Sequence, residues 1–161
     1  LTLIMVLAFV ACGETSQGDV VAPTPTEEAK APETVGEKIY AEFKANHTGT
    51  ALEIAERLIG NEIIQFMGGA MAVEEGLLSG FDNYEVKGFK EGAMFGPMMG
   101  SIAFVGYVFI LEDGADVEAF KTQLTSTADL RWNICTAADE MVCDDEGNKV
   151  FFVMAPLSFE E

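Results

Sequence analysis

The run Ser101 to Glu112, SIAFVGYVFILE, limits what this chain can fold into more than any other stretch. From Ile102 to Leu111 every residue is apolar, Gly106 or Tyr107. A helix needs roughly 20 such residues to span a bilayer, and this run is too short. Val105, Tyr107, Val108, Phe109 and Ile110 are β-branched or aromatic, and Gly100 and Asp113-Gly114 bound the run, so it reads as a strand. Alternation puts Ile102, Phe104, Val108 and Ile110 on one face and Ala103, Val105, Tyr107, Phe109 and Leu111 on the other. Neither face suits water, so both must be covered, and the strand belongs at the centre of a sheet. Val150 to Met154, VFFVM, has the same two-sided character and is its natural neighbour. Gly106 marks a bulge or a close backbone approach.

The surrounding pattern predicts an α+β domain over residues 34–161, with a mainly antiparallel sheet and about three helices. Thr34 to Glu37 and Thr50 to Glu53 fit capping boxes that open a helix to about Asn46 and another stopping at Gly60. Asp116 caps a third helix, with Val117, Phe120 and Leu124 as its core stripe, ending near Thr125. The first two helices are expected on one face of the sheet and the third on the other face or beside them. Short strands are expected at 62–67, 70–74, 83–89, 130–136 and 141–144, with Gly68-Gly69 as a break and 94–100 as a loop before the central strand. Asp144 to Asn148 reads as a hairpin turn with Gly147 at the position needing positive φ.

Residues 1–11, LTLIMVLAFVA, are uncharged and mostly apolar, and Phe9-Val10-Ala11 precede Cys12. This resembles the hydrophobic region and lipobox of a bacterial lipoprotein signal peptide. The resemblance implies cleavage after Ala11 and a diacylglycerol on the Cys12 thiol. The next stretch, 12–33, is rich in Pro, Thr, Ala, Glu and Gly without an aromatic residue and reads as a disordered tether. Gly76 to Phe89, the Phe95 to Ser101 segment and Arg131 to Glu140 resemble small uncharacterised lipoproteins of Gram-positive anaerobes. That likeness implies a lipid-anchored place on the outer face of a cell membrane and brings no known activity with it.

Charge narrows the partners. The chain has 27 acids and 9 bases; residues 12–33 hold five of the acids and Lys30, which leaves 22 against 8 in the domain, a net of −14. Such a field repels nucleic acid and anionic headgroups, so the membrane is expected as a partner only through the lipid on Cys12.

The residues that carry chemistry are few. No Gly-x-Ser-x-Gly is present, and Gly68-Gly69 lacks the Lys and Thr of a phosphate loop. The only histidine, His47, suits a cap at the end of the first helix. Glu74, Glu75 and Asp82 offer carboxylates for glycoside chemistry, but surface acids are common here. Asp139, Glu140, Asp144, Asp145 and Glu146 gather around a turn without the spacing of an EF-hand, and are expected to be solvated hairpin acids. Met67, Met71, Met94, Met98 and Met99 are soft ligands of the kind copper takes, with core packing as the expected use. Cys135 and Cys143, eight apart, are either a disulfide or two buried thiols. Arg131 beside Trp132 suits a carboxylate or a ligand ring, an internal ion pair with the indole against the Arg stem being the expected role.

With no nucleophile and base to assemble, the expectation is a binding or protein-interaction module whose partner is an envelope protein or a small ligand, with no cofactor. Arg131, Trp132, Met98 and Met99 are its candidate ligand residues. The alternatives are an accessory subunit or minor enzyme using acids near the 94–100 loop, and a divalent-cation binder.

Overall fold

The structure is a computed structural model that describes residues 32–159. The expected signal peptide, Cys12 and nearly all of the 12–33 tether lie outside the described residues. The elements, in chain order, are helices α1 (Val35–Ala45) and α2 (Ala51–Ile59), strands β1 (Gly68–Val73), β2 (Gly76–Leu77), β3 (Glu85–Val86), β4 (Glu91–Pro97) and β5 (Val105–Ile110), helix α3 (Val117–Thr127), and strands β6 (Glu140–Glu146) and β7 (Lys149–Ala155). Together they make an α+β domain. Among the described residues no helix is long and apolar enough to cross a membrane.

Five strands form one antiparallel sheet in the order β1-β4-β5-β7-β6, so the run read first from the sequence is its middle strand. The strand itself is Val105–Ile110, shorter than the apolar run, and all six of its residues are buried. The two faces separate as alternation requires. Phe104, Val108 and Ile110 enter one core with Phe95, Phe151 and Val153, under α1 and α2. Ala103, Val105, Tyr107, Phe109 and Leu111 enter a second core with Val150, Phe152 and Met154, on the α3 side.

Local chemistry explains the helix starts. Thr34 Oγ1 accepts from Glu37 N–H at 3.2 Å, and Thr34 N–H donates back to Glu37 Oε2 at 3.2 Å. Thr50 and Glu53 repeat the box at 3.2 and 2.9 Å. Two sheet carboxylates add to these caps, a favourable place for negative charge at a helix N-terminus. Gly36 N–H donates to Glu140 Oε1 at 2.7 Å, and Ala51 N–H to Glu91 Oε2 at 3.3 Å. The α1–α2 connection is fixed from below, where Lys149 Nζ donates to His47 O at 2.6 Å and Arg57 Nη2 donates to Thr48 O.

Several expected strands are absent, each for a visible reason. Residues 62–67 are bent rather than extended, because Asn61 Oδ1 accepts from Ile63 N–H at 3.0 Å and Asn61 O from Ile64 N–H at 3.0 Å. Gly68-Gly69 is no break: it opens β1, and a Cβ at Gly68 would lie 2.4 Å from Ile59 Cγ1, so glycine lets α2 settle on the strand. The 94–100 segment is mostly β4 and not a loop. Of 83–89 only Glu85–Val86 is extended, paired with β2 outside the main sheet. Residues 130–136 form consecutive turns, since Asp129 Oδ1 accepts from Arg131 N–H at 2.9 Å and Asn133 O from Thr136 N–H at 3.1 Å. The β6–β7 hairpin does turn at Gly147, where φ is +68° and a side chain would be strained.

The helices cover the sheet unevenly. On the first face α2 lies across β1, β4 and β5, and α1 across β6 and β7. On the second face α3 rests mainly on β6 and β7, with Phe120 reaching the Phe109 ring of β5 at a centroid distance of 5.2 Å. The loop around Leu78, Phe81 and Phe89 fills much of the remainder, tied down by Tyr107 Oη donating to Ser79 O at 2.8 Å. The β1–β4 corner of that face carries no helix, and the candidate site lies there.

Candidate functional site

Gly69 and Gly96 are direct partners across β1 and β4, and Met71 and Met94 are direct partners one pleat further along the same face. Two glycines facing one another leave a floor without side chains. Thioether walls rise on one side of it. Met98, just past β4, closes the other end, its Sδ lying 3.2 Å from the point a Cβ on Gly69 would occupy. The result is a groove of about 290 Å³ lined by Gly69, Met71, Met94, Gly96, Pro97 and Met98. Met67 and Met99 flank it, and Met98 N–H donates to Met67 O at 3.0 Å. A second, smaller cavity of about 180 Å³ shares Met94, Gly96 and Pro97 with it and ends at Trp132 and Asn133.

The expected use of these methionines as core filler is corrected here. Met67, Met71, Met98 and Met99 are 71, 57, 68 and 74 % exposed, and only Met94 is half-buried. Every residue from 63 to 73 and from 92 to 111 is uncharged. On a chain of net charge −18, this edge is a neutral, polarizable surface. No Asp or Glu lines either cavity.

The four ligand residues proposed from the sequence fall apart into three groups. Met98 lines the groove and Met99 lies beside it. Trp132 is half-buried, packed on the second core, and borders the smaller cavity. Arg131 is exposed, its side chain in no ion pair among the described residues, which corrects the expected internal ion pair with the Trp132 indole against the Arg stem. Met71 and Met94 are among the soft donors read from the sequence, with packing as their expected use, whereas the two floor glycines, Gly69 and Gly96, carry no chemical mark of their own. The absence of charge over 63–73 and 92–111 is the signal that draws all four into one surface.

The acids around the hairpin also have a different role from the one expected. Lys121 Nζ, from α3, reaches Asp145 Oδ1 at 2.7 Å, Glu118 Oε1 at 2.9 Å and Asp144 Oδ1 at 3.3 Å. Tyr40, from α1 on the opposite face, hydrogen-bonds to Asp144. These acids are thus not free in solvent; they clamp both helix layers to edge strand β6. Among the described residues no group of three His, Cys, Asp or Glu side chains is placed to hold a metal ion. The bonds from Asp145 and Glu118 hold the Lys121 ammonium above its ordinary range, against a smaller opposing effect of burial. Burial pushes the Asp144 carboxyl up, but bonds from Tyr40, the Asp145 N–H and Lys121 more than offset it, leaving it low.

A pH dependence follows. Asp144 is lowered in the folded state, so its share of stability is present above the unfolded value of about 3.9 and is lost as pH falls through the folded one. Lys121 is raised, so its share holds below about 10.4 and is lost as pH rises through the folded value. Lys121→Met should therefore lower stability by a constant amount between roughly pH 5 and 9, with the deficit shrinking at both ends, as urea unfolding at several pH values would read.

His47 has the capping role expected of it, with Nδ1 3.2 Å from Lys44 O and its ring against Phe43. Cys135 and Cys143 are free thiols, the first exposed in the 129–136 turns and the second partly covered against α3. Burial pushes the Cys143 thiol up to about 12, with its acidic neighbours adding to this and Lys121 opposing it. A neutral-pH thiol reagent should accordingly modify Cys135 quickly and reach Cys143 only at the rate of local opening or in denaturant, a contrast that mass spectrometry of the labelled chain reads directly. Compared with known proteins, the chain matches no protein-family model, no curated protein and no solved structure.

Proposed function

We propose that this protein is a binding module held by lipid on Cys12 at the outer face of a cell membrane, and that it takes its ligand in the groove between Met71, Met94 and Met98. The observation that carries this reading is the set of exposed thioethers on a charge-free edge of a strongly acidic chain. Large apolar side chains grouped on a surface cost solubility unless something covers them, and an edge strand with neither Lys nor Pro is an invitation to association. Anionic ligands are disfavoured by the field of the domain, so the occupant is apolar or cationic.

The anchor rests on different residues. An apolar leader ending in a single thiol, followed by a spacer that cannot bury a core, is the arrangement that two or more acyl chains would hold stably on a bilayer. Cys12→Ala should release the protein from membranes, and retention of the variant would sink the anchor.

The groove is tested separately, with methionine methyl labels in the full chain. Adding an envelope extract from the source cell should shift the methyl resonances of Met71, Met94 and Met98 and leave those of Met141 and Met154 in place. No shift, or shifts spread over all of them, would remove the groove as a binding site.

A further inference from the structure

Resting on that groove as the ligand site, we infer that its occupant is a soft monovalent cation, Cu(I) by chemistry, held by the thioethers of Met71, Met94 and Met98. The first ground is the identity of the walls. Among its buried residues this domain fills space with Phe, Val, Ile, Leu and Ala, and Met154 is the one methionine there. Five of the eight methionines instead fall in two short segments, 67–71 and 94–99, that antiparallel pairing brings side by side. If only apolar surface were needed, leucine would serve. Thioether sulfur adds a soft donor, and soft donors select Cu(I) over Mg²⁺, Ca²⁺ or Mn²⁺.

The second ground is geometry. Met71 and Met94 are opposite one another, which puts their Cβ atoms about 5 Å apart. Met98 folds back over Gly69, the residue two before Met71 on the same pleated face, with Sδ above the glycine floor. Three long, flexible side chains thus start around one opening, and each has three rotatable bonds with which to aim its sulfur. A Cβ at Gly69 would stand 3.1 Å from Met98 Cγ and 3.2 Å from its Sδ, so glycine there leaves the third donor room to lie over the groove floor.

The third ground is electrostatic. Carboxylate-rich surface surrounds a charge-free corner. A field of that sign concentrates cations near the protein, while the neutral donors at the groove impose no preference for double charge. A hard ion finds carboxylates elsewhere but none lining the groove, and a soft ion finds the sulfurs.

Ag(I) serves as the redox-inert probe, added to the full, methyl-labelled chain beyond the equivalents taken by its free thiols, Cys135 and Cys143 among them. The methyl resonances of Met71, Met94 and Met98 should move together over one further equivalent, with Met141 and Met154 unmoved. Met71→Leu and Met98→Leu, which keep the groove apolar and near its volume, should each weaken that step by about tenfold or more. Cu(I) held reduced by ascorbate should repeat the pattern. Leucine variants that bind as tightly as the parent, or Met67 and Met99 responding as strongly as the groove set, would overturn the inference. If the envelope extract moves the groove methyls and Ag(I) does not, the cation is wrong and the groove stands; if neither does, both fall.

Discussion

Phe152→Ala should cost about 3–5 kcal/mol, measured as a fall in the midpoint of urea unfolding with little change in slope. Phe152 sits in β7, which has a paired strand on each side, and its ring is fully buried on the second face. Phe81 and Tyr107 lie against it with ring centroids 5.0 and 6.4 Å away, and α3 closes that side of the sheet. Tyr107 is in turn held by Ser79, so the walls of the resulting cavity are poorly placed to collapse into it. Phe104→Ala belongs at the lower end of the same range. Phe104 lies just before β5 and packs on Phe66 and Phe159, which are only partly buried and freer to relax. A loss under about 1 kcal/mol at Phe152 would mean that the two-sided core is wrongly drawn.

The features legible in the sequence are those where one signal had no competitor. Two capping boxes, each with an apolar stripe behind it, gave α1 and α2 because Thr and Glu at that spacing satisfy the same two N–H groups from both directions. The double-sided run gave β5 and even the membership of both cores, since period two assigns each residue to a face with no other information. Strand β4 was hidden because Gly92, Gly96 and Pro97 are poor strand formers. Its pairing with β1 and β5 overrides local preference, and its glycines have packing reasons: a Cβ at Gly92 would lie 2.7 Å from Phe89. The segment 130–136 failed in the opposite direction. Leu130, Trp132 and Ile134 alternate as in a strand, yet Asp129 and Asn133 capture the backbone in turns, and Ile134 is left 99 % exposed. The groove was half legible. Met98, Met99 and Trp132 stood out individually, but the cross-strand partnership of Met71 with Met94 exists only once β1 and β4 are known to pair.

The pairing of β4 with β5 makes Gly106 the least replaceable glycine of the sheet. It stands opposite Phe95 in register, with no bulge, so the close approach expected of it is made by a side chain. A Cβ there would lie 2.2 Å from Phe95 Cζ, 2.5 Å from Cε2 and 2.6 Å from Cε1. The Phe95 ring lies flat across the space that Gly106 leaves empty, and α2 covers it from above. Phe104 and Phe151 stand 5.8 and 6.4 Å from it, which leaves the ring no vacant direction in which to swing. Gly106→Val should therefore cost about 3 kcal/mol or more, the upper end of what overpacking a filled core exacts, even though valine is much the better strand former. Coupling decides whether the cause is this ring. Phe95→Ala alone should cost about 3–5 kcal/mol by leaving a cavity, and in combination with Gly106→Val the loss should fall clearly below the sum, because the new methyls occupy the vacated space. Additive losses would instead place the strain in the backbone of β5, and a Gly106→Val change below about 1 kcal/mol would show that Phe95 and Gly106 do not face each other across the strands.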